Sequence, residues 1–98
     1  MMLAPMTARE TILSMYTRDE LKDISEYGAD QGVPGFTYYS ETCEFFDEHE
    51  DEIEEYFDDN FGESIIKTAV DRGHEDIRAI KNFCAWAYLE SIAHEFND

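Results

Sequence analysis

The chain has 98 residues, 24 of them Asp or Glu against seven Lys or Arg, for a formal net charge of −17 at pH 7. That length makes one domain with a modest core, and the charge repels nucleic acid and anionic membranes while attracting basic protein surfaces. An apolar share of 43% with 14% aromatics argues against disorder, because the aromatics recur at regular spacing.

The first elements announce themselves by their caps. Thr7-Ala8-Arg9-Glu10 and Thr17-Arg18-Asp19-Glu20 are capping boxes, in which hydroxyl and carboxylate satisfy free backbone N–H groups reciprocally. They predict a helix over 8–15 that buries Ile12, Leu13 and Tyr16, and a second over 18–27 that buries Leu21 and Ile24 and stops at Gly28. Gly32, Pro34 and Gly35 then mark a loop, with FTYY as the entry to a third helix.

Tyr39, Cys43 and Phe46, and then Ile53, Phe57 and Phe61, keep helical spacing. An unbroken helix would place Glu50 on the apolar side, and a buried lone carboxylate is costly. A kink or break is therefore expected between Asp47 and Glu50, with one long helix whose edge is merely exposed as the alternative. A further helix is expected over 64–72, carrying Ile65, Ile66, Ala69 and Val70 and stopped by Gly73. TAVDRGHEDIRAI resembles the turn between the two helices of an ankyrin repeat, in a single copy, and supports a tight hairpin over 72–75. The last helix has the longest apolar face: Ile77, Ile80, Phe83, Cys84, Ala87, Tyr88, Ile92 and Phe96. Trp86 lies off that line, free to pack sideways or to meet a partner. The fold class is all-α: a single small domain over 1–98, an irregular bundle of five or six short helices.

Between Lys22 and Lys67 there is no cation, and twelve acidic residues fall between Glu41 and Glu63. Helices ordinarily interleave Lys with Glu, since like charges at i,i+4 cost ~0.2–0.5 kcal/mol each. Here Glu44–Glu48, Glu48–Glu52, Asp51–Glu55, Glu54–Asp58 and Glu55–Asp59 are all like pairs. Read as helix, the stretch would span ~34 Å with one charge per ~3 Å. That is close to the ~3.4 Å per charge of one nucleic-acid strand. Glu44, Asp47, Glu48, Asp51, Glu52, Glu55, Asp58 and Asp59 are the candidate partner-binding residues, expected to project opposite the apolar stripe as phosphate surrogates.

Marks of catalysis are missing from the sequence. It has no Gly-rich phosphate loop, and no zinc pattern is headed by His49, His74 or His94. Glu90 and His94, one turn apart, read as an exposed helix pair. An EF-hand register with Gly62 in the glycine slot puts Phe57 at the first ligand position and fails. The reading is of a non-enzyme with no cofactor and no metal site. Cys43 and Cys84 are expected as buried, reduced thiols. The absence of a ~20-residue apolar span or a basic leader places the expectation in the cytoplasm.

The stretches MTARE…DELKDISEYGADQGVPGFTYYSET, FFDEHEDEIEEYF and NFCAWAYLESIAHEF resemble small acidic proteins encoded by bacteriophages. That resemblance implies an inhibitor of the anti-CRISPR or anti-restriction type, a DNA mimic acting by protein–protein interaction in the host bacterial cytoplasm. The implied partner is a basic nucleic-acid-binding protein or complex, a CRISPR surveillance complex or a restriction enzyme, with no direct contact to nucleic acid or membrane. A second reading stays open: an immunity- or antitoxin-like module that binds a basic partner through apolar hot spots such as Trp86 or Tyr38.

Overall fold

The structure, a computed structural model, describes residues 6–61, 71, 73 and 76–97, without the side chains of 30 and 61. The protein is all-helical. Helices α1 (Ala8–Met15), α2 (Arg18–Tyr27), α3 (Tyr39–Glu48), α4 (Glu50–Phe61) and α5 (Ile77–His94) are joined by short connections and one 3-10 turn at Ala29–Gln31. The expected helix over 64–72 and the hairpin over 72–75 lie outside the described residues, apart from Asp71, which is helical and exposed, and Gly73 with its φ of 93°.

Both capping boxes form. Thr7 Oγ1 accepts from the Glu10 N–H and Glu10 Oε1 from the Thr7 N–H. Thr17 and Glu20 repeat the exchange. Helix α2 ends where expected, at Gly28 with φ 88°, a left-handed backbone that a Cβ resists. Helix α3 begins with a half version of the same device, Glu41 accepting from the Tyr38 N–H. Asp76 caps α5 by accepting from the Arg78 N–H.

Helix α5 is the central pillar, with α1, α2, α3 and α4 all packed on it. It buries Ile80, Cys84, Tyr88 and Ile92, and also Asn82, Ala85, Leu89 and Ala93. A helix covered on several sides has no single apolar stripe to display. The small residues Ala85 and Ala93 are fully buried, which lets neighbours approach closely. Ile77 is the exception to the expected face: it sits in the first turn, before the bundle closes over the helix, and is exposed.

Three other expected burials are corrected. Leu13 lies at the edge of α1 and is exposed, while Ala8 takes the buried place. On α3 the buried face is Thr42, Phe45 and Phe46; Tyr39 is exposed and Cys43 half-buried. The face is turned because the Thr42 hydroxyl donates to Asn82 Oδ1 at 2.7 Å inside the core, while the Arg78 guanidinium sits over the Tyr39 ring outside it. Both thiols are free, Cys84 fully buried and Cys43 only partly. Burial pushes the Cys84 thiol up to about 12.

The loop between α2 and α3 is anchored by three polar contacts. Tyr16 Oη donates to the Pro34 carbonyl, Trp86 Nε1 donates to the Phe36 carbonyl at 2.7 Å, and Glu90 accepts from the Ala29 N–H at 2.8 Å. Trp86 therefore packs sideways, against the loop. Phe36, fully buried, starts an aromatic chain through Phe45, Tyr88 and Tyr56, with successive centroids 5.0, 6.3 and 5.6 Å apart.

Candidate functional site: an acidic surface in two segments

The expected break falls at His49. Its backbone (φ −127°, ψ 27°) leaves the helical region for one residue, and its N–H is shared between the Phe45 and Phe46 carbonyls. Glu50 is thereby exposed rather than pressed into the core. The acidic surface is consequently not one straight row but two short ones, on α3 and on α4.

On α4, Asp51, Glu55, Asp58 and Asp59 are exposed. Their i, i+4, i+7, i+8 spacing puts them on one face, opposite the buried Ile53 and Phe57. Four carboxylates then share ~12 Å of helix axis. On α3, Glu44 and Glu48 are exposed on the side away from Thr42 and Phe46. Among the described residues, Glu44, Asp51, Glu55, Asp58 and Asp59 have no ion-pair partner.

The other three candidates are occupied in part. Asp47 accepts from Lys81 Nζ at 2.6 Å, a bond that raises the lysine pKa. Glu48 lies 4.0 Å from His49 Nε2. Glu52 does not project from the outer face: it is half-buried, accepts from the Ala8 N–H at 2.6 Å and lies 3.2 Å from His49 Nδ1. Ala8 is the first residue of α1, so this carboxylate satisfies a free amide at the positive end of a helix. Its task is structural, tying α1 to the α3–α4 joint. His49 is mostly enclosed there, with its ring 4.9 Å from that of Phe45.

Two clefts flank α4. One, of about 760 Å³, lies between the start of α1 and the joint, with Thr7, Asp47, His49 and Asp51 among its walls. The other, of about 380 Å³, lies between α4, α5 and α1 and is lined by Arg9, Glu55, Tyr56, Asp59, Tyr88 and Glu95 together with its neighbours. Arg9 and Glu95 form an ion pair across it, which raises the arginine pKa. The expected Glu90–His94 pair is divided between other partners, Glu90 serving the Ala29 N–H and His94 Nδ1 meeting Ser25 Oγ at 3.1 Å. Sequence reasoning missed the second cleft, since its residues come from three helices and share no local spacing.

Fold and surface together define a class: a small all-helical protein with a dense, segmented acidic face. Residues 10–98 match DUF7222, a domain of unknown function, and the chain belongs to that family. No curated protein and no solved structure matches it. No helix among the described residues is long and apolar enough to cross a membrane.

Proposed function

We propose that the protein is an inhibitor of a host nucleic-acid-binding defence system, of the anti-CRISPR or anti-restriction type that its sequence resembles, acting as an acidic mimic of nucleic acid. Exposed carboxylates on α3 and α4 occupy the basic channel of the target and turn nothing over. The observation that supports the reading most is the set Glu44, Asp51, Glu55, Asp58 and Asp59: exposed, without an ion-pair partner among the described residues, and fixed on helices anchored to the core. A rigid array loses little conformational entropy on binding. Spacing on α4 approaches the ~3.4 Å per phosphate of a single strand. The break at His49 narrows the mimicry to two short runs set at an angle fixed by the joint. Asp47 and Glu52, which have internal partners, contribute less than the other six.

Competition tests this. Purified CRISPR surveillance complexes and restriction enzymes are loaded with labelled DNA and challenged with the protein at low and at physiological salt. Displacement from one of them, weakening steeply with salt and lost when Glu44, Asp51, Glu55 and Asp58 are changed to Gln or Asn, is the expected result. Retention of displacement by that variant refutes mimicry. The hot-spot alternative keeps one of its two anchors: Tyr38 is 69% exposed, whereas the Trp86 indole N–H is spent on the Phe36 carbonyl. An interface centred on Tyr38 would show little salt dependence.

A further inference from the structure

Tyr88 has a hydroxyl that the fold does not use. The residue is 8% exposed. Its ring is held by Tyr56 edge-on at 5.6 Å and by Phe45 at 6.3 Å. Its oxygen makes no hydrogen bond among the described residues, yet no buried side-chain oxygen there is left unsatisfied. The hydroxyl therefore opens onto the 380 Å³ cleft that the residue lines. A polar group this deep is ordinarily paired, so an open one at a cleft floor points to a ligand that supplies the missing bond.

The walls define that ligand's chemistry. Glu55 and Asp59 stand on the α4 side, exposed and without an ion-pair partner among the described residues. Glu52 and Glu95 add negative charge, and Arg9, the one cation among the described residues of the lining, is already paired with Glu95. Tyr56 and Tyr88 present aromatic surface, which attracts cations. Burial, then the field of Glu52, raises the Tyr88 pKa and keeps the phenol protonated, its oxygen a neutral acceptor.

We infer that this cleft is a subsite for a basic side chain, the Lys or Arg of a protein partner, whose N–H groups donate to Tyr88 Oη while Glu55 and Asp59 pair with its charge. The inference rests on the proposed function in taking the partner as a basic protein. It adds a discrete anchor beside the diffuse acidic face, because a phosphate mimic alone needs no buried phenol.

The test is a titration of the protein with octalysine at physiological salt, followed by NMR. Saturable shifts at Tyr88, Tyr56 and Ser91, which also lines the cleft, and affinity about tenfold lower in Tyr88→Phe, are expected, since a hydrogen bond from a charged donor is lost. Tyr88→Phe removes no hydrogen bond among the described residues and should unfold as the unaltered protein does. Glu26→Gln, exposed on α2 and not part of the cleft's lining, should leave the Tyr88 shifts in place. Shifts confined to Glu44 and the outer face of α4, or unchanged affinity in Tyr88→Phe, overturn the subsite. Butylammonium chloride forms a second arm: saturation as tight as with octalysine would make the ligand a free amine and overturn the protein-partner assignment. Failure to displace nucleic acid with the Tyr88 result intact would sink mimicry alone; the reverse pattern would sink only the cleft.

Discussion

Neutralising the outer carboxylates should make this protein more stable while depriving it of its proposed target. The relevant variant changes Glu44, Glu48, Asp51, Glu55, Asp58 and Asp59 to Gln or Asn. All six are exposed, and none holds a hydrogen bond across helices among the described residues. The changes relieve like-charge pairs at i,i+4: Glu44–Glu48, Asp51–Glu55 and Glu55–Asp59 within the set, and Glu54–Asp58 at its edge, whereas Glu48 and Glu52 are separated by the break at His49. At about 0.2–0.5 kcal/mol each, the relief totals ~0.8–2 kcal/mol at low ionic strength. For a domain of this size that is a rise in Tm of roughly 3–16 °C. Glu52→Ala is the contrast. It leaves the Ala8 N–H without its acceptor and detaches α1 from the joint, at a cost of about 1–3 kcal/mol. Circular dichroism melts of both variants in low and high salt read the result. Unchanged or lowered stability of the sixfold variant in low salt would refute the claim that these charges are mutually repulsive.

Three further outcomes follow from the core and the loop. Thr42→Val leaves Asn82 Oδ1 buried without its 2.7 Å donor, and urea denaturation should show a loss of about 1–3 kcal/mol. Gly35→Ala should destabilise by at least ~1 kcal/mol, because its φ is 85° and an added Cβ would meet the Met15 methyl at 2.6 Å; a melt within a degree of the parent would contradict the loop geometry. Alkaline pH should weaken the fold. The Cys84 thiol, raised from 9.0 to about 12, contributes stability that is complete below pH 9 and lost as pH rises towards 12. Tyr16 and Tyr88, also raised, act in the same direction. Cys84→Ala in the same pH series should lose less over that interval than the parent.

The parts of the fold legible in the sequence were those governed by local chemistry. Thr7 and Thr17 with their glutamates, and Gly28 after Tyr27, mark helix ends by bonds made within four residues, and α1 and α2 have the expected bounds. The break at His49 was legible through a conflict: continuous helix would have buried Glu50. What escaped depends on distant partners. Thr42 turns inward because Asn82, forty residues later, accepts its proton. Asp47 and Glu52 look identical to Glu44 and Asp51 in sequence; only Lys81 and the Ala8 amide distinguish them. The Tyr88 hydroxyl is invisible to periodicity, which places its ring in the core and says nothing of where its oxygen emerges.

The clasp between Glu52 and the Ala8 amide, with the Arg9–Glu95 pair beside it, joins segments 44 and 86 residues apart. During synthesis α1 emerges well before α5, yet its docking surface is completed by side chains near the close of α5. Its capping box can hold nascent helix on the ribosome, but its packing waits for translation to pass Glu95. Docking of α1 is therefore a late, non-local step of folding, and a chain stalled before Glu95 would leave α1 open to proteolysis.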